Sequence, residues 1–278
     1  MSKIVWDAIG ERRYETGVDH GVLYLYDKNA KEFNNGVAWN GLTSVQETPS
    51  GAESNPQYAD NIKYLDLISA EQFGATVECF TYPDEWEKCD GSASPVDGMS
   101  IRQQERSMFG LCYRTKIGTD VEGDAGYKLH LVYNCKASTS ERQYQTVNDS
   151  PEALSFSYEI STTPIDVPNY KQTSIITIDS TKFTTEVAGV KTIDQKLLNL
   201  EAALYGSDGG NTYTEFTGTA FVAHTVYYTR SGEEGAYVYT PTTDTEPQQG
   251  TTYYTNGAST PWLPLPGKVI EILSANNG

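Results

Sequence analysis

Three segments of this chain alternate apolar and polar residues with a period of two. Only a β-strand converts that period into one dry face and one wet face. In residues 73–82, Phe73, Ala75, Val77 and Cys79 fall on one side and Gly74, Thr76, Glu78 and Phe80 on the other. In residues 127–135, Tyr127, Leu129, Leu131, Tyr133 and Cys135 oppose Lys128, His130 and Asn134. In residues 154–162, Leu154, Phe156, Tyr158 and Ile160 oppose Ser155, Ser157, Glu159 and Ser161. Shorter apolar runs at 21–26, 37–44, 62–67, 107–115 and 174–178 also read as strands, with Asn35-Gly36 and Asn40-Gly41 as turn signals. Many short strands at this spacing predict an all-β sandwich or barrel.

One segment departs from that period. Ile193, Leu197, Leu200 and Leu204 recur at helical spacing and predict one flanking helix over 190–205. Thr192 and Gln195 resemble a capping box, and Gly206 is a suitable stop. A short turn is predicted at 83–89.

Composition shifts after Gly206 toward Thr, Tyr and Gly, and a two-copy repeat emerges. The run starting Tyr213-Thr-Glu-Phe-Thr aligns with the run starting Tyr239-Thr-Pro-Thr-Thr, so Tyr227 and Tyr228 match Tyr253 and Tyr254. Two copies are too few for a solenoid. The organisation predicted is a core over 1–206, a small inserted β appendage over 207–260, and a tail over 261–278 that returns to the core.

The 278 residues carry 37 acidic and 20 basic side chains, a net charge of −17. Specific binding of a polyanion needs clustered Lys and Arg, so this balance argues against it. The 20 tyrosines suit half-buried strand positions, where the ring packs and the hydroxyl reaches water or a partner. No stretch approaches the roughly 18 consecutive apolar residues of a membrane span, and the first residues do not read as a signal peptide. Cys79, Cys112 and Cys135 sit in strand-like runs that suit buried reduced thiols, while Cys89 lies in a polar turn. Cys112 and Cys135 fall where adjacent strands can bring them close, though spacing does not fix disulfide geometry. Asn148-Asp149-Ser150 matches a glycosylation sequon and is read as a turn.

Reactive constellations are missing. His20, His130 and His224 are far apart in sequence, and a lone strand histidine such as His130 is ordinarily a surface or interface residue. Neither a phosphate-binding loop nor a dinucleotide fingerprint nor a nucleophile elbow occurs. Residues 120–126 loosely follow a calcium loop, but Leu131 stands where its bidentate Glu belongs, so they are read as a strand connection. Glu78 and Glu159 both fall on polar strand faces. Brought together, they would form an acid–base pair of the glycosidase type; apart, they are solvated carboxylates. No cofactor and no metal are expected.

Seven ordered segments carry a family resemblance. They begin with Gly-Val-Ala-Trp-Asn-Gly-Leu-Thr-Ser at 36–44, which runs on through 53 and 58–65, and Ile-Ser-Ala-Glu-Gln-Phe-Gly at 68–74, which continues to 85. Glu-Lys-Cys-Asp-Gly-Ser follows at 87–92, then Phe-Gly-Leu-Cys-Tyr-Arg-Thr at 109–115 and Tyr-Lys-Leu-His-Leu-Val-Tyr at 127–133. Thr-Val-Asn-Asp-Ser-Pro-Glu at 146–152 and Phe-Ser-Tyr-Glu-Ile-Ser-Thr-Thr-Pro at 156–164 complete the set. Each is weakly specific, but in this order and spacing they resemble the major tail protein of long-tailed, siphovirus-like bacteriophages. That resemblance implies a non-enzymatic virion protein assembled in the bacterial cytoplasm. It implies a tail tube of stacked, hexameric rings around a tape-measure protein, ending at tail-terminator and distal tail or baseplate proteins. DNA would pass through without specific binding, and no membrane is involved. The long polar segment 45–58, with Val45, Glu47, Pro49, Glu53 and Tyr58, is then expected to bridge rings together with the arm before Val22. Glu78 and Glu159 become candidate lumen-facing acids. The repeat, inserted before Leu263-Pro-Leu-Pro266, departs from the simpler family pattern.

A rival reading is a carbohydrate-binding or adhesin β module, either the whole chain or the 207–260 appendage alone. Tyr227, Tyr228, Tyr253, Tyr254 and Trp262 would supply its stacking surfaces, provided they are exposed and clustered.

Overall fold

The computed structural model describes residues 4–275 apart from 141, 143, 145, 147–152, 188–189 and 234–236. The chain opens with β1 (Arg13–Asp27), β2 (Glu32–Trp39) and β3 (Leu42–Glu47), followed by a hairpin of β4 (Ser54–Ala59) and β5 (Ile62–Ile68). Next come β6 (Gly74–Cys79), α1 (Glu87–Asp90), the short pair β7 (Ser92–Ala93) and β8 (Ile101–Arg102), and the long β9 (Phe109–Thr119) and β10 (Gly126–Ala137). The strands β11 (Phe156–Thr162), β12 (Ile165–Val167), β13 (Tyr170–Thr173), β14 (Ile175–Asp179), β15 (Thr184–Val187) and β16 (Val190–Ile193) lead into α2 (Gln195–Tyr205). A small sheet of β17 (Thr214–Phe216), β18 (Tyr228–Ser231), β19 (Val238–Pro241) and β20 (Tyr253–Thr255) precedes α3 (Pro266–Ser274). The fold is all-β with few helices.

The main sheet runs β2-β1-β9-β10-β11-β6-β3, with β14 also paired to β10. It curls until β3 returns to β1. A side chain on Gly21 of β1 would lie 2.3 Å from a methyl of Leu42 on β3, so a larger residue there would have to push Leu42 aside. Inside the curl lies one core of Leu23, Leu111, Tyr113, Val77, Tyr158, Trp39 and Trp86. Trp86 seals one end, with its ring centroid 4.6 Å from Trp39, 4.9 Å from Tyr158 and 5.0 Å from Phe109. A second core lies on the other face of β1, β9 and β10. There Tyr24, Cys112, Leu129, Leu131 and Tyr133 meet Leu197, Leu200 and Leu204 of α2, Val269 of α3 and Leu263. Burying one such leucine contributes about 1.5–3 kcal/mol. These central strands read as near-continuous apolar runs because both of their faces are dry.

Alternation holds along β6 and from Phe156 onward in β11, but not along β10. Tyr133 belongs to the second core and Cys135 to the first. Asn134, between them, adopts a left-handed φ of 49°, and the register with β9 shifts there. One residue off the pleat exchanges the faces of everything after it. Cys135 therefore does not share a face with Leu131, and Cys112 and Cys135 lie in opposite layers. All four cysteines are buried free thiols, Cys89 included. Desolvation raises the pKa of Cys89 and Cys112 to about 12.

Other expectations need correction. Asn35-Gly36 is a bulge within β2, where Asn35 has φ 54° and the register with β1 shifts; Asn40-Gly41 is the turn. The helix starts at Gln195, because residues 190–193 pair with β15 as a strand. Its cap is Asp194, whose Oδ1 accepts from Lys196 N at 2.9 Å, in place of a Thr192–Gln195 box. Gly206 ends it at φ 79°. His130 is buried at 8% exposure. The sequon at 148–150 lies outside the described residues.

Candidate assembly surface

The apolar residues of the β4–β5 hairpin have no core to enter. Every residue of β5 is exposed, and Tyr58, Ile62, Tyr64, Leu65, Leu67 and Ile68 all present apolar surface, with Tyr64 at 70% exposure. The two strands pair only with each other. An isolated two-stranded hairpin is at best marginally stable in water, and contiguous exposed apolar surface of this kind marks a contact site. The N-terminal arm shows the same chemistry, with Ile4, Val5, Trp6 and Ile9 exposed and Trp6 at 75%.

The segment 45–58 is therefore not one long loop. Val45 lies in β3 opposite Val77 and packs against the first core. Glu47 ends β3 and accepts a hydrogen bond from the Tyr113 hydroxyl at 2.7 Å. Pro49 is exposed in the connection, which is tied down where Ser50 and Gln72 exchange backbone bonds. Glu53 is also exposed, with its N–H donating to Ser69 Oγ at 3.1 Å. Tyr58 is on β4. The arm before Val22 likewise divides, because β1 pairs with β9 from Arg13 onward and Gly10 and Arg12 are still tied to Asp120 by bonds of 2.9 and 3.1 Å.

Glu47, itself exposed, reaches a buried aromatic pair. The Tyr113 ring stacks on His130 with centroids 4.6 Å apart, and His130 Nδ1 lies 3.7 Å from the Glu47 carboxylate. Thr115 Oγ1 and Thr177 Oγ1 flank the two imidazole nitrogens at 3.0 and 3.4 Å. Burial lowers the His130 pKa, against the opposing pull of Glu47 and Glu15. Burial and the bond to Glu47 both raise that of Tyr113. A second polar link crosses β1 and β9, where Arg114 grips Asp19 through two bonds of 2.7 and 3.1 Å and holds its carboxyl below the usual range.

The structure brings Glu78 and Glu159 onto one exposed face of adjacent strands. Glu78 pairs with Ser157, and Glu159 with Thr76, so the two acids are diagonal neighbours, a spacing of about 7–8 Å. Ser44 Oγ donates to Glu78 at 2.9 Å. Serines and threonines surround them, and the result is an acidic, hydrophilic patch on the outside of the curl. Among the described residues no cluster of His, Cys, Asp and Glu is arranged to hold a metal ion.

The aromatics named for sugar stacking divide by burial. Tyr227, Tyr253 and Tyr254 are buried in the small sheet, Tyr228 is half-buried, and Trp262 stacks on His224 at 4.2 Å.

The exposed hairpin was the feature least legible in sequence. Residues 62–68 are apolar on both faces, a pattern that ordinarily denotes a strand buried on both sides.

No family model and no curated protein matches the chain. Among solved structures, it is similar to a chain in the cryo-electron microscopy structure of an extracellular contractile injection system, the PVC sheath-tube complex in its extended state. The identity is 10%, the match covers 58% of this chain and 88% of that one, and the TM-score is 0.26.

Proposed function

We propose that this chain is a structural tube-forming subunit of a phage tail. It associates with itself into rings, hexameric by the family resemblance, which stack into a tube around a tape-measure protein. One observation carries the reading: the β4–β5 hairpin exposes Tyr58, Ile62, Tyr64, Leu65, Leu67 and Ile68, and among the described residues nothing in its own protomer covers them. A second copy covers them at no cost in new chemistry. The exposed N-terminal arm is the second bridging element. The face bearing Glu78 and Glu159 lines the lumen, where like charge keeps DNA phosphates from adhering. The remaining partners are a tail-terminator and a distal tail or baseplate protein, and assembly takes place in the bacterial cytoplasm. No residue needs to react, and the acids act as fixed charge.

The test is sedimentation of the purified chain beside its Leu67→Asp variant. The account predicts large assemblies for the parent and monomers of unchanged circular dichroism for the variant. Equal assembly of the two would remove the hairpin from the interface.

A further inference from the structure

The chain has seven arginines, and three of them, Arg102, Arg106 and Arg142, line one cavity of about 230 Å³. It lies where the end of α1 meets β8 and the segment leaving β10. In a chain of net charge −17 this is a local reversal of sign. Two of the guanidinium groups are held in place. Arg106 donates to the backbone carbonyls of Asp90 at 3.1 Å and Ala137 at 3.0 Å. Arg142 donates to Asp90 Oδ2 at 2.6 Å and lies 5.6 Å from the ring centres of both Tyr82 and Phe156. Asp90 is the one acid among the lining residues, and its side chain is only 10% exposed. Its other carboxylate oxygen, Oδ1, is buried and finds no hydrogen-bond partner among the described residues. Neither does the buried hydroxyl oxygen of Ser140, on the cavity wall.

We propose that this cavity binds a phosphate group that keeps one protonated oxygen, either inorganic phosphate or the terminal group of a phosphomonoester. The cations set the sign of the ligand, because arginine forks match tetrahedral oxyanions and two of these are fixed before it arrives. Asp90 sets the protonation state. Its orphaned Oδ1 needs a donor, and a buried acceptor left unpaired is costly. A P–OH supplies that donor while the remaining oxygens accept from the arginines and from Ser140. Sulfate at neutral pH has the same shape and no proton, so it meets the Asp90 carboxylate oxygen to oxygen. A phosphodiester lacks the proton as well, which excludes the DNA backbone. This inference does not depend on the tube reading, since it concerns the single chain.

Calorimetric titration of the full chain at pH 7 with sodium phosphate, glycerol 3-phosphate and sodium sulfate, at matched ionic strength, tests it. Phosphate at tenfold over its Kd also raises the melting temperature by about 2–3 °C. Sulfate binds at least tenfold more weakly, and Arg102→Gln and Ser140→Ala each weaken phosphate binding with the fold intact. Tighter binding of glycerol 3-phosphate than of phosphate assigns the site to a monoester, and equal binding assigns it to the inorganic ion. Absence of phosphate binding, sulfate binding as tight as phosphate, or wild-type affinity in Arg102→Gln overturns the proposal.

Discussion

Tyr213 and Tyr239, equivalent positions of the two repeat copies, stack face to face with ring centroids 3.9 Å apart and planes within 3°. The repeat is a structural symmetry. The small sheet is ordered β17-β20-β18-β19, so the start of each copy pairs with the end of the other and the two ends meet at the centre. Tyr228 pairs there with its own counterpart, Tyr254. Even the side-chain bonds recur: Val222 N donates to the Tyr227 hydroxyl at 2.9 Å, and Gln248 N to the Tyr253 hydroxyl at 3.2 Å. Tyrosine repeats because each copy needs a ring to pack and a hydroxyl to hold its own loop.

That stack predicts a coupling. In a double-mutant cycle of Tyr213→Ala and Tyr239→Ala, the interaction term is about 0.5–1.5 kcal/mol. Guanidinium denaturation followed by tyrosine fluorescence measures it. Strictly additive losses would show that the rings only touch.

Asn134 lets β10 serve both cores. With φ at 49°, it tolerates a conformation that a β-branched residue resists. Asn134→Val is expected to destabilise the chain by about 1–3 kcal/mol, and Asn134→Gly to be nearly neutral. Urea midpoints of the two variants check this, and equal losses would contradict it.

His130 makes stability depend on pH. Its folded pKa is depressed below the ordinary 6.5 by burial, so the unfolded chain protonates first as pH falls. The contribution is complete above about pH 6.5 and is lost as pH drops through the lower folded value. Glu47 and Glu15 oppose the shift and Lys128 adds to it, so Glu47→Gln should steepen the loss. Urea unfolding between pH 7.5 and 5 is expected to show a smaller slope in His130→Gln. Identical slopes would remove His130 as the origin.

Much of the architecture follows from the period-two segments, because Phe73, Val77 and Cys79, or Tyr158 and Ile160, each face a single core. What escaped was set by single residues and by distant partners. The switch at Asn134 leaves no composition signal. Residues 190–193 look helical until their strand partner across the hairpin is known. The C-terminal helix was readable in principle: Pro266 occupies its first turn, where a missing N–H costs nothing, and Val269 lies on its buried side. Of the candidate site, Tyr58 was named as a contact and is exposed in the hairpin. Val45 and Glu47 lie on a strand rather than in a polar loop, Val45 opposite Val77 and Glu47 exposed with the Tyr113 hydroxyl on its carboxylate.

The central claim is self-assembly, and negative-stain electron microscopy of the purified chain over a range of concentrations tests it most directly. The account predicts rings or tubes with a central channel that become more abundant with concentration and disappear in Leu67→Asp. Monodisperse monomers at every concentration would contradict it.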